Sequence, residues 1–301
     1  MDLMRVFYRI ILSGVLLIVL SACDKSDYTV ENPDKEQMFH IINTAFLFEK
    51  YIEKGAEANF EMYNNEVIQP IYDDCFKDGE FLYMADEILH TAPTNLSNLK
   101  NNTELMKVRQ QELNQLIEEA LLKSAKLLPS DKDVTVCLVP ATSSGIRLFT
   151  TGAGKIIIPY NEFIDDAFLK VSIAHEYHHS TWAEHNVHNE TFTILDNLVF
   201  EGKAVMFEQL VYPEISTIPI EPTYNKDNWS KIEKDLNSID FNRSLAIING
   251  GNDLPALYGY SEGFKIVQAY LKQYPEKTPE EWTALSPTEI FRKGNYTEHY
   301  E

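Results

Sequence analysis

Basic residues are scarce in this chain. Its 301 residues include 26 lysines and arginines against 46 acidic residues, a formal net charge of −20. No basic patch interrupts that excess, so nucleic acid and anionic lipid surfaces are excluded as electrostatic partners. The acidic runs read as a solvated surface. Cysteine is nearly absent, with Cys23, Cys75 and Cys137 making up the whole set. None of the three sits in a recognisable nucleophile setting, which argues against thiol catalysis. Cys75 and Cys137 leave two readings open, a single disulfide in an oxidising compartment or two buried thiols, because sequence does not give their separation in space. Internal repeats, low-complexity tracts and long Gly/Ser/Pro linkers are also lacking, which argues against solenoids and flexible multidomain arrays.

Long apolar runs are confined to the N-terminus. Arg5 and Arg9 precede an apolar stretch from Ile10 to Leu20, broken only by Ser13 and Gly14, and Leu20-Ser21-Ala22-Cys23 follows. The stretch is short for a membrane span and has the layout of an export signal. Its last four residues resemble a bacterial lipobox, which implies cleavage before Cys23 and lipidation of that cysteine. Residues 1–22 then form a signal peptide carrying Arg5, Arg9 and Asp2, a net +1, so the remaining chain carries −20 − 1 = −21. Membrane attachment is therefore expected through the lipid, with the body of the protein extracytoplasmic. An uncleaved anchor helix is the alternative.

What is present, at 44% hydrophobic residues, suffices for one sizeable core. Residues 23–35 are polar and read as a tether. Residues 36–130 read as a mostly helical region, with amphipathic stretches starting at Phe39, Ile42 and Phe46 and continuing from Glu57 to Ile71, where Pro70 ends or kinks the helix. Residues 93–102 read as a loop, and Thr103-Glu104 opens another helix. Residues 131–301 change character. Val134–Val139 is β-rich, Ala141–Gly145 reads as a turn, and Ile146–Phe149 and Lys155–Ile158 read as strands split by Thr150–Gly154. Asn161 is the expected cap of a helix running to about Ser180. Further helices are expected over about Glu190–Leu210 and Ser261–Tyr274. The fold class is thus α+β, mostly helical, with a small sheet before the helix that carries the chemistry.

That chemistry is written in His175-Glu176-Tyr177-His178-His179, an HExxH pattern. Two histidines four residues apart on a helix share one face and can reach one zinc ion. Glu176 sits at the edge of that face, suited to take a proton from water without being a ligand. Zinc in such a site needs a third protein ligand and an open position. His185 has the metzincin spacing, but Trp182 stands where that pattern requires glycine for a sharp turn. Glu201, 201 − 179 = 22 residues past the second histidine, is preferred, and the adjacent Gly202 lets another backbone pack closely. His178 lies about 100° around the helix and reads as structural. His185 and His188 read as loop histidines. Asn197, one turn before Glu201, either orients it or caps a helix.

Three segments together resemble the DUF2268 family of predicted zinc-dependent proteases: His175–His179, then Leu195-Asp196 with Glu201-Gly202-x-Ala204, then Tyr258-Gly259-Tyr260-x-x-Gly263-x-x-Ile266-Val267. The resemblance spans roughly residues 60–275. It implies a gluzincin-like, zincin-type fold with His175, His179 and Glu201 as ligands of one Zn2+ ion. By position, Tyr260 would be the oxyanion donor, with Tyr258 the neighbouring alternative. The expected activity is peptide-bond hydrolysis on a peptide or protein substrate, with Glu176 as general base and the strand Lys155–Ile158 aligning the substrate. A zinc-binding lipoprotein without turnover and a zinc hydrolase of non-peptide bonds are the alternatives. The intact Glu176 argues against the first of these.

Overall fold

A computed structural model describes residues 26–141, 147–186, 191–251 and 253–300. Its centre is a five-stranded mixed sheet of order β1-β2-β3-β5-β4. The strands are β1 (Ser26–Glu31), β2 (Met38–Asn43), β3 (Val134–Pro140), β4 (Phe149–Gly152) and β5 (Lys155–Tyr160). β2, β3 and β5 run parallel, and β1 and β4 pair antiparallel at the two edges. Alternate side chains divide between two cores, as a pleated strand requires. Phe39, Ile41, Val136, Leu138, Ile156 and Ile158 face one core, while Ile42, Cys137, Val139 and Ile157 face the other. A sheet buried on both faces explains why β3 and β5 read as nearly continuous apolar runs.

Among the described residues, seven helices of nine or more residues surround the sheet: α1 (Ala45–Glu53), α2 (Leu96–Val108), α3 (Gln110–Leu127), α4 (Asp166–Asn186), α5 (Ile194–Val211), α6 (Phe241–Asn249) and α7 (Tyr258–Gln273). α3, α4, α5 and α7 fill the first core, and α1 with the helical run over residues 60–75 fills the second. Within that run Pro70 does not end the helix. A π turn at Asn64–Ile68 precedes it, and the Gln69 N–H reaches back to the Asn64 carbonyl. The widened turn falls where proline cannot donate to the helical ladder. Among the described residues, no helix is long and apolar enough to cross a membrane.

Several sequence expectations change. Residues 26–31 of the expected tether form β1, and residues 38–43 of the expected helical region form β2. Phe39, Ile41 and Ile42 meet both periodicities over so short a stretch, and pairing with β3 decides for the strand. α2 starts at Leu96, inside the expected loop, with Asn95 accepting from the Asn98 N–H at 3.1 Å. Thr150–Gly152 is strand rather than turn, which makes β4 the sheet edge and leaves β5, the strand expected to align the substrate, in the interior. Ile146 and residues 142–145 lie outside the described residues. α4 begins at Asp166, capped by Asp165 (2.7 Å to the Phe168 N–H), whereas Asn161 closes a separate turn on the Phe163 N–H. α5 begins at Ile194 behind a Thr193–Asp196 capping box. α7 starts at Tyr258, so Tyr260 stands in its first turn rather than in a preceding loop.

Cys75 and Cys137 form a disulfide, with Cα atoms 6.1 Å apart, that ties the helix Gln69–Cys75 to β3. It closes a 62-residue separation, so breaking it releases considerable chain entropy in the unfolded state. The Cys75→Ser/Cys137→Ser protein is expected to lose about 2–4 kcal/mol in urea unfolding relative to the oxidised protein. Equal midpoints would contradict a structural role for the bond.

Candidate metal centre

α4 presents His175 and His179 one turn apart, buried between the sheet and the helices behind it. Their Nε2 atoms are 3.1 Å apart. Glu201, from α5, places Oε2 3.3 Å from each of them. Donor atoms of a tetrahedral shell with bonds of ~2.0–2.1 Å are spaced ~3.3–3.4 Å apart, so this near-equilateral triangle fits zinc. It is the set of His, Cys, Asp and Glu side chains that could hold a metal among the described residues.

The position of Glu201 follows from glycine. A Cβ added at Gly202 would lie 2.1 Å from the Gly263 carbonyl carbon, and one added at Gly263 would lie 2.0 Å from the Leu198 carbonyl oxygen. α5 and α7 therefore cross at backbone contact. The crossing seats Glu201, next to Gly202, against α4. It also turns Tyr260, one helical turn before Gly263, toward the same cleft.

The surroundings of the triangle set its protonation. His175 Nδ1 donates to Glu208 Oε2 at 2.8 Å, which orients the ring with Nε2 facing Glu201. Burial opposes charge on His175, yet hydrogen bonds to Glu201 and Glu208 outweigh it and raise its pKa well above that of a free imidazole. Burial lowers His179. Its ring lies flat on Phe200 at 3.9 Å, and its Nδ1 has no hydrogen-bond partner among the described residues. At His179 the stack on Phe200 therefore takes the place that Glu208 has behind His175. Burial would raise Glu201, but the adjacent imidazoles hold it down at about 2. Burial pushes Glu176 up to about 8 against the pull of His175, and Thr150 Oγ1 on β4 lies 3.0 Å from Glu176 Oε2. The carboxylates of Glu201 and Glu208 against the two imidazoles suit a divalent cation.

A cleft of about 470 Å³ opens over this floor, lined by Glu176, Arg147, Tyr260, Asn197 and a set of apolar side chains. The Tyr260 ring is 6.1 Å from the His175 ring, and the Arg147 guanidinium lies 5.9 Å from the Tyr260 centroid. The Glu201 charge, then burial, raises the Tyr260 hydroxyl, so it stays protonated and can donate. Tyr258 packs in the core and does not line the cleft. Asn197 lines it, without a hydrogen bond to Glu201 among the described residues. His178 points away: its Nε2 meets Thr283 Oγ1 at 3.1 Å and its ring stacks on Trp282. His185 does not join the triangle. α4 runs unbroken through the buried Trp182, and the His185 side chain is 61% exposed. His188 and Cys23 lie outside the described residues.

Glu208 and Thr150 escaped the sequence reading. Seven residues return a helix to within about 20° of the same face, so Glu208 was legible as a follower of Glu201. Thr150 was not, because it reaches Glu176 only through the sheet edge.

A two-histidine, one-glutamate centre between two packed helices is the class of site defined here. The chain belongs to the DUF2268 family, described as predicted Zn-dependent protease, with residues 110–292 matched, more than half of its length. No curated protein and no solved structure matches it. The protein is expected to take up one zinc ion per chain, measured by elemental analysis after reconstitution. Glu208→Gln should weaken binding by about 10–100-fold. Undiminished zinc in a His175→Ala/His179→Ala protein would contradict the site.

Proposed function

We propose that this chain is a zinc-dependent metallopeptidase that hydrolyses peptide bonds, with His175, His179 and Glu201 as the zinc ligands. The observation that carries the reading is Glu176. It stands beside the ligand triangle in the wall of an open cleft, buried, outside the ligand set, and oriented by Thr150. A purely structural zinc site would not need that fourth group. Bound zinc would supply Lewis acidity and lower the pKa of water in the site.

The chain's own groups divide the remaining work. Glu176 accepts a proton from the attacking water and passes it to the leaving amine. Tyr260 donates its hydroxyl hydrogen to the carbonyl oxygen as negative charge develops there. β4 is the outermost strand on this side of the sheet, and Phe149 and Thr150 line the cleft. Beyond Thr151, whose carbonyl already accepts from the Phe81 N–H, this edge is where an extended peptide would add as a further strand.

The same reading places the protein outside the cytoplasm, cleaved before Cys23 and held to a membrane by lipid on that cysteine. The apolar run Ile10–Leu20 supports export, and the Cys75–Cys137 disulfide supports an oxidising compartment.

Glu176→Gln is expected to keep its zinc and to lose about 10²–10⁴-fold in peptidase activity on a broad peptide mixture. Full activity in a zinc-loaded Glu176→Gln protein would overturn the mechanism.

A further inference from the structure

The cleft is not evenly polar. Four of the chain's large exposed apolar side chains line it: Tyr83 (58% exposed), Met84 (47%), Phe241 (52%) and Leu245 (41%). They come from two distant segments, the turn Leu82–Ala85 and the first turns of α6. Tyr83 and Phe241 meet edge to face across the gap, with ring centroids 5.7 Å apart and planes at 89°. Ile248, buried beneath them on α6, continues the apolar surface inward.

This wall reaches the metal centre. Phe81, at the start of the same turn, packs edge-on against Phe200 at 6.0 Å, and Phe200 is the residue before Glu201 and the platform for the His179 ring. A group seated on the wall is therefore adjacent to the ligand triangle. The acidic side chains on the cleft surface are Glu87, Glu176, Glu201 and Glu208, and Arg147, beside Tyr260, is the one lysine or arginine among the described lining residues. An acidic side chain would meet repulsion near the wall, and a basic one would leave water for an apolar surface. A large uncharged side chain would bury apolar area on both sides.

We infer that the Tyr83, Met84, Phe241 and Leu245 wall is the specificity site of the cleft and selects peptides with a large apolar residue, aromatic or aliphatic, next to the scissile bond. The inference rests on the peptidase reading for cleavage, though not for binding.

The test uses three peptides that differ at one position beside a cleavable bond, Phe, Ala or Glu. Their dissociation constants for zinc-loaded Glu176→Gln protein and their kcat/KM with zinc-loaded wild type are measured. Phe is expected to exceed Ala by about 10-fold or more in both, as for a filled apolar pocket. Tyr83→Ala and Phe241→Ala should bring the Phe-to-Ala ratio close to unity with zinc content unchanged. Phe163→Ala, which removes an exposed ring away from the cleft, should keep the ratio. An equal response to Phe and Ala, a preference for Glu, or a ratio unmoved in both wall variants would overturn the inference. Selective binding of the Phe peptide that depends on Tyr83, without cleavage by wild type, would uphold the wall and overturn the peptidase reading instead.

Discussion

The backbones of α5 and α7 touch at Gly202 and Gly263, and much of the site hangs on that contact. A methyl group on either glycine would fall about 2 Å from backbone atoms of the other helix, far inside van der Waals contact. The helices would have to separate, and Glu201 and Tyr260 ride on the two sides of the crossing. The 3.3 Å spacings from Glu201 to both imidazoles leave little room for such a shift. Close helix packing is thus what turns a carboxylate 22 residues distant in sequence into a neighbour of His175 and His179.

Around that triangle, burial and charge pull in opposite directions. Burial alone would neutralise every group in the site. Pairing prevents this for Glu201, which the imidazoles keep ionised, and for His175, which Glu208 holds from behind. At Glu176 burial outweighs the pull of His175. Glu201 is thus held in its ionised form, while burial favours the neutral form of Glu176 in the same cleft. The C-terminal segment supports the set from outside: Trp282 and Thr283 hold His178, and Lys203 donates to the carbonyls of Thr283 and Leu285.

Much of the centre was legible from residue spacing, because helical periodicity is local. His175, His179 and Glu176 follow from one four-residue step, and Gly202 marked a close backbone approach that the structure shows. Trp182 correctly spoke against a turn toward His185. Non-local pairing was not legible. β2 read as helix because its strand character is decided by a partner some 95 residues away in β3, and β1, read as tether, is a strand through its pairing with β2. β5 lies inside the sheet because Thr150–Gly152, read as a turn, pairs with it locally as part of β4. The Cys75–Cys137 pairing needed a distance in space, and Thr150 reaches Glu176 only once β4 is placed. The apolar cleft wall combines residues 83 and 241, which no window of sequence could join.

X-ray absorption at the zinc edge of the reconstituted protein measures the central feature directly. A four-coordinate shell of nitrogen and oxygen at ~2.0–2.1 Å is expected, with multiple scattering from two imidazoles and no sulfur. That pattern should fall to one imidazole in His179→Ala. Three imidazoles in the wild-type spectrum, or an unchanged two in His179→Ala, would contradict it.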